Sequence, residues 1–193
     1  MSDYDVVVIG ASWGGLKAIE QLLAALPAGF PVPIVVAQHR DADAEDQLLA
    51  KLLGRHTQLH VADAEDKAPL RPGTVLLSPP GYHVYVTEGC VELSVDEPVQ
   101  FARPSIDVLF ESAADAYGPR VLGILLTGAN ADGADGLAEI ARRGGQTIVQ
   151  DPDSAERPEM PRAALRKLRP DHVLALDAVA RLLRDAGGKE RAS

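Results

Sequence analysis

The sequence predicts a three-layer α/β fold: a doubly wound, mostly parallel sheet with an antiparallel hairpin at its margin. Two observations carry that expectation. Apolar, largely β-branched runs without polar alternation recur at Val6-Val7-Val8-Ile9, Ile34-Val35-Val36-Ala37 and Val121-Leu122-Gly123-Ile124-Leu125-Leu126, as strands buried on both faces require. Between such runs lie segments whose apolar residues return at three- and four-residue spacing, the mark of helices with one buried face. A length of 193 residues suits a single domain of this kind, residues 1–193, with its core over about 5–186.

The first run breaks at Gly10-Ala11-Ser12-Trp13-Gly14-Gly15 into a tight turn, which places Ser12 between a strand tip and a helix mouth. Leu16, Ile19, Leu22, Leu23 and Leu26 mark that helix, and Pro27 and Gly29 end it. Pro31 and Pro33 introduce the second strand, which stops at Gln38-His39. The acidic run over 41–46 is expected to face solvent at the positive end of a helix bearing Leu48, Leu49, Leu52 and Leu53 and closed by Gly54. Two strands joined through one helix make a βαβ unit, parallel and right-handed, so Ser12 and His39 emerge at one sheet edge.

Short strands over 58–63 and 74–77 follow. Ser78-Pro79-Pro80-Gly81 turns into the alternating run 82–87, and Glu88-Gly89 leads back along 90–95 as an antiparallel hairpin. Beyond a loop over 98–104, Pro104 is expected in the first turn of a helix containing Ile106, Val108, Leu109, Phe110 and Ala113. A buried strand over 120–127 then repeats the opening pattern, passing through Gly128-Ala129-Asn130-Ala131-Asp132-Gly133 into a helix over 134–143. A strand over 146–150, a short helix over 161–167, an extended piece over 171–175 and a helix over 178–186 close the chain, with a frayed tail after Gly187.

Composition excludes several classes of function. A formal charge of −9 argues against nucleic acid or an anionic membrane as partner, because phosphate recognition needs a basic surface. The single cysteine, Cys90, leaves no internal disulfide and no cysteine-rich metal site, which fits a reducing cytoplasm. Asp3 and Asp5 before a short apolar run do not make a signal peptide, and no segment reaches membrane-spanning length. No His, Cys and carboxylate grouping has metal-ligand spacing, so neither metal nor cofactor is expected.

Gly10-Ala11-Ser12-Trp13-Gly14 fits G-x-S-x-G, the elbow that lifts a nucleophilic serine clear of a sheet. Active sites of such sheets gather beyond the carboxyl ends of the strands. Ser12, His39 and Asp132 all stand there, and they are the types a serine hydrolase needs: nucleophile, base, and a carboxylate that orients the base. Each also has a plainer reading, as a helix cap for Ser12 and Asp132 and as a strand-end polar residue for His39. His83 is the rival base. The order Ser, His, Asp departs from the Ser, Asp/Glu, His order of α/β-hydrolases, so an ordinary lipase or esterase is a poor match.

Five motifs resemble the catalytic domain of the chemotaxis protein-glutamate methylesterases, the CheB family: Ile9-Gly10-Ala11-Ser12-x-Gly14-Gly15, Gln38-His39, Pro79-x-x-x-His83, Arg103-Pro104-Ser105-x-Asp107-Val108-Leu109-Phe110, and Leu126-Thr127-Gly128-x-x-x-Asp132-Gly133-Ala134. They follow the family's order over about 6–180. The resemblance implies hydrolysis of γ-glutamyl methyl esters on the cytoplasmic helices of methyl-accepting chemoreceptors, with deamidation of receptor glutamines as a related activity. It implies Ser12 as nucleophile, His39 as general base, Asp132 as its orienting carboxylate, and the backbone N–H groups of Trp13 and Ala129 as oxyanion hole. His83 and Arg103 match positions near the substrate cleft.

Trp13 replaces a threonine usual in the family, Ala129 stands where methionine is common, and Ala102 where a histidine often precedes Arg-Pro-Ser. The resemblance implies an N-terminal phosphorylatable receiver domain that covers the active site, whereas here the first strand begins at Asp5; the expectation is a domain that is constitutively active or controlled by a separate regulatory protein, unless the chain is an excised fragment, and separately a monomer. The alternatives are a serine esterase or amidase for another ester or protein glutamine, and a non-catalytic docking module that uses Trp13 as an apolar anchor.

Overall fold

The computed structural model describes residues 4–40 and 47–187, so the expectations for the run over 41–46 and for the tail lie outside the described residues. The chain runs β1 (Val6–Ala11), α1 (Gly15–Ala24), β2 (Ile34–Gln38), α2 (Leu48–Gly54), β3 (His60–Asp63), β4 (Thr74–Leu77), β5 (His83–Thr87), β6 (Cys90–Ser94), α3 (Ile106–Tyr117), β7 (Val121–Leu125), α4 (Ala134–Arg142), β8 (Gln146–Gln150), α5 (Glu159–Lys167), β9 (His172–Leu174) and α6 (Leu176–Gly187). Seven strands form one sheet in the order β3-β4-β2-β1-β7-β8-β9, with every ladder parallel.

The apolar runs are uninterrupted because both faces of the sheet are covered. Val7, Ile9, Ile34, Val36 and Leu122 pack with Ile19, Leu22 and Leu23 of α1 and with Val179 and Leu183 of α6. Their neighbours Val6, Val8, Val35 and Val121 pack on the other face with Ile106, Leu109 and Phe110 of α3 and with Leu137 and Ile140 of α4. Each such side chain contributes about 1.5–3 kcal/mol relative to exposure, and polar alternation would forfeit that on one face.

The connections leaving β1 and β7 turn to opposite faces, so a crevice opens beyond their carboxyl ends. Register aligns the strand tips around it: Ala11 of β1 stands beside Gln38 of β2, and Gly10 beside Leu125 of β7.

The antiparallel hairpin forms as expected, and one expectation, the place of Pro104, changes. The hairpin β5–β6 forms a two-stranded sheet of its own, with Val84, Val86 and Val91 buried on the α3 side of the core. Pro104 precedes α3 instead of lying in its first turn, because the helix is capped by Ser105, whose extended backbone lets Oγ accept from the Val108 N–H at 3.4 Å. The Arg103–Pro104 peptide is cis.

Candidate active site

Ser12 follows β1 directly, and its N–H donates to the Thr127 carbonyl at 3.0 Å, which ties the turn to the segment after β7. Its side chain caps no helix; that position belongs to Gly14, at φ 78°, where an added Cβ would lie 2.9 Å from Glu156. His39 continues the β1–β2 pairing, its N–H donating to the Ala11 carbonyl at 3.1 Å. The Gln38 amide locks both turns from below, donating to the Ser12 carbonyl at 2.8 Å and the His39 carbonyl at 3.1 Å. The same parallel register that aligns the strands therefore delivers the hydroxyl and the imidazole side by side.

Ser12 Oγ lies 3.2 Å from His39 Nδ1, and His39 Nε2 lies 2.7 Å from Asp132 Oδ2. The network assigns the tautomer: Nε2–H donates to the carboxylate, leaving Nδ1 to accept the serine proton. Asn130 Nδ2 makes a longer approach to Nδ1 at 3.4 Å.

Asp132 is fully buried and accepts from three further donors, Ser105 Oγ–H at 2.9 Å, Ile106 N–H at 2.7 Å and Asp107 N–H at 2.9 Å. Burial alone would raise its pKa. The hydrogen bond from His39 and the two backbone N–H groups together outweigh it and hold the carboxyl below its usual range. A buried carboxylate kept ionised against an imidazole is a fixed counter-charge for imidazolium. Gly133 is the N-cap of α4, so Asp132 is not spent on capping that helix.

Trp13 N–H and Ala129 N–H donate to no acceptor among the described residues. They belong to the turns that follow β1 and β7, the first adjoining Ser12 and the second adjoining Gly128 in the chain. Gly128 permits the approach of the two turns, since a Cβ on it would sit 3.0 Å from Ser12 Cβ. Thr127 Oγ1 joins them, within 3.0 Å of the Trp13 carbonyl and 3.2 Å of the Arg157 carbonyl, and accepts from Arg157 N–H at 2.9 Å.

The open surface has two lobes that share His39 and Arg40. One, of about 430 Å³, is lined by Ser12, Trp13 and Gln38; the other, of about 410 Å³, by Gly81, Phe101, Arg103 and Asn130 among others. The Arg157 guanidinium sits 5.4 Å from the Trp13 ring centroid. A larger cavity of about 800 Å³ lies between α2, β3 and the hairpin and contains none of the three hydrogen-bonded residues, so size alone would misplace the site. Among the described residues no cluster of three His, Cys, Asp or Glu is placed to hold a metal.

Residues 7–183 match the profile of the CheB methylesterase family. The chain belongs to the CheB methylesterase family. A Leptospira interrogans protein is 40% identical over 181 residues, covering 93% of each chain. A protein-glutamate methylesterase/protein-glutamine glutaminase of Anaeromyxobacter dehalogenans is 45% identical over 94% of this chain, and the protein-glutamate methylesterase FrzG of Myxococcus xanthus 42% identical over 93%. This chain spans about half of those two, 53% and 54% of their lengths. The crystal structure of the Thermotoga maritima CheB methylesterase catalytic domain superposes with a TM-score of 0.89 at 30% identity, covering 94% of this chain and 98% of that one.

Against the CheB expectations, Ser12, His39 and Asp132 are brought together and Arg103 lies on the cleft. Arg103 Nη1 donates to the Val95 and Asp96 carbonyls at 2.9 and 3.1 Å. His83 is placed differently. It is fully buried, its Nδ1 accepting from Ser105 N–H and its Nε2–H donating to the Glu97 carbonyl, each at 3.2 Å. With both ring nitrogens bonded to backbone it stands behind Ser105, off the cleft surface.

Several contributors have no role assigned from sequence: Ser105, Gln38, Thr127, and Arg40, whose Nη2 donates to Asp63 Oδ1 at 3.0 Å and to the Ser78 carbonyl. Gln38, Ser105 and Thr127 stand inside the family motifs, which mark their positions and say nothing of their hydrogen-bond partners.

Proposed function

We propose that the chain is a protein-glutamate methylesterase acting in the cytoplasm on the helices of methyl-accepting chemoreceptors, and that it also deamidates receptor glutamines. The observation that carries the reading is the unbroken hydrogen-bond chain from Ser12 through His39 to buried Asp132, with the N–H groups of Trp13 and Ala129 in the adjoining turns finding no acceptor among the described residues. The names of the relatives supply the substrate class.

Ser12 Oγ attacks the γ-carbonyl carbon as His39 Nδ1 takes its proton, and the carbonyl oxygen becomes an oxyanion held by Trp13 N–H and Ala129 N–H. Each donor contributes on the order of 3 kcal/mol to the transition state. The imidazolium, stabilised by Asp132, returns the proton to the leaving methoxy oxygen, and methanol departs from a Ser12 acyl-enzyme. Water then loses a proton to His39 and attacks the same carbon; Ser12 recovers its proton and glutamate is released.

The test is methanol release from methylated chemoreceptor membranes by the wild type and by Ser12→Ala. Release that disappears in the variant is the expected result. No release by a folded wild type from receptors shown to carry methyl groups would remove the receptor as substrate.

A further inference from the structure

The rim of the cleft carries a feature that hydrolysis does not use. Residues 99–102 form a two-residue turn, closed by Val99 N–H to the Ala102 carbonyl at 3.1 Å and Ala102 N–H to the Val99 carbonyl at 2.8 Å. Its central residues, Gln100 and Phe101, have φ of 48° and 65°. Such positions ordinarily take Asn and Gly, because a larger side chain crowds the backbone there. Here one of them is a phenylalanine whose side chain stands wholly in solvent, at 104% relative exposure.

Strained backbone persists where the surroundings over-determine it. Gln100 Nε2 donates to Oδ2 of buried Asp107 at 2.9 Å, and Arg103 holds the carbonyls of Val95 and Asp96 just before the turn. The turn is thus pinned from both sides, and it sets Phe101 on the rim of the lobe that contains His39 and Asn130. Through His39 and Arg40 that lobe is continuous with the one containing Ser12 and Trp13, the latter 57% exposed. A rigid, exposed aromatic loses little conformational freedom on binding, which suits a contact anchor.

We propose that Phe101 is a specificity-determining anchor that buries its ring against the apolar stripe of the helix bearing the esterified glutamate, with Trp13 as a second contact at the serine end of the cleft. The inference rests on the methylesterase reading and names how its substrate is gripped. Position favours this occupant: Phe101 and His39 line one lobe, and His39 also lines the lobe that holds Ser12 and Trp13, so a protein segment whose ester reaches Ser12 passes the turn that carries Phe101.

The experiment compares three esters: a helical peptide with one γ-methyl glutamate and leucines three and four residues away, the same peptide with glutamines replacing the leucines, and N-acetyl glutamate α-amide γ-methyl ester. Wild type is expected to prefer the leucine peptide through KM. Phe101→Ala is expected to cut the kcat/KM ratio of leucine peptide to amino-acid ester by roughly 10- to 100-fold, the value of burying one phenylalanine, and Phe101→Leu to restore most of it. An unchanged ratio in Phe101→Ala, or a wild type that cleaves the amino-acid ester yet shows no preference among the peptides, overturns the anchor and leaves the methylesterase reading standing. A folded wild type that cleaves none of the three overturns that reading and the anchor with it.

Discussion

Asp132→Asn separates the orienting role of this residue from its bulk. In the wild type Oδ2 accepts from His39 Nε2 and Ile106 N–H, and Oδ1 from Ser105 Oγ–H and Asp107 N–H. Asparagine keeps one acceptor oxygen. With that oxygen toward Ser105 and Asp107, the amide nitrogen meets Ile106 N–H and His39 Nε2. The imidazole then bonds it only by moving its proton to Nδ1, where an N–H confronts Ser12 and cannot take a proton. In the opposite orientation Asp107 N–H loses its partner and the imidazolium loses its counter-charge. Either way one buried N–H is unpaired, a stability loss of about 1–3 kcal/mol, and kcat falls roughly 10³- to 10⁴-fold. Urea denaturation reads the first and steady-state methanol release the second. A folded variant that keeps more than a tenth of wild-type kcat would refute the assignment of tautomer and charge control to Asp132.

Gly128→Ala brings a Cβ to 3.0 Å from Ser12 Cβ and 2.5 Å from Met160 Cε. The thioether can swing aside but the serine backbone cannot, so kcat is expected to fall about 100-fold through displaced nucleophile geometry, with KM less affected. Thr127→Val keeps the shape and removes the hydroxyl that links Trp13 to Arg157; thermal or urea unfolding should show a loss of about 1–3 kcal/mol.

Asp107 carries a pH signature. Burial pushes its carboxyl up to about 7, opposed by Gly136 N–H and reinforced by the charges of Asp132 and Asp135. A raised carboxyl stabilises the fold fully below its ordinary value of 3.8 and loses that contribution as pH climbs to about 7. Its part of the stability therefore declines across that window, by up to about 1.4 kcal/mol per pH unit. Asp107→Asn mimics the neutral acid and should flatten this decline in urea titrations at successive pH values; an unaltered slope would contradict the raised carboxyl.

Much of the architecture was legible because it rests on local rules. The runs of β1, β2 and β7 announce strands covered on both faces, and the glycines after β1 and β7 announce turns where little but backbone fits. A right-handed parallel connection then brings Ser12 and His39 to one edge without any coordinates. The start of α3 differs from the pattern because proline suits a first helical turn by its φ alone, whereas the serine hydroxyl one residue later satisfies an otherwise unpaired N–H.

What the sequence determined by itself is the fold class and the edge at which Ser12, His39 and Asp132 stand, since hydrophobic periodicity and turn chemistry act over a few residues. Tertiary structure decided what those residues touch there. Asp132 could have capped α4, and it is hydrogen-bonded to His39 instead, held by the first turn of α3, some 25 residues away in the chain, which aims Ser105 and two N–H groups at it. His83 and the turn bearing Phe101 were placed the same way, one drawn behind Ser105 and the other tied to α3 through Gln100, because burial and hydrogen-bond partners come from distant segments that no local pattern records.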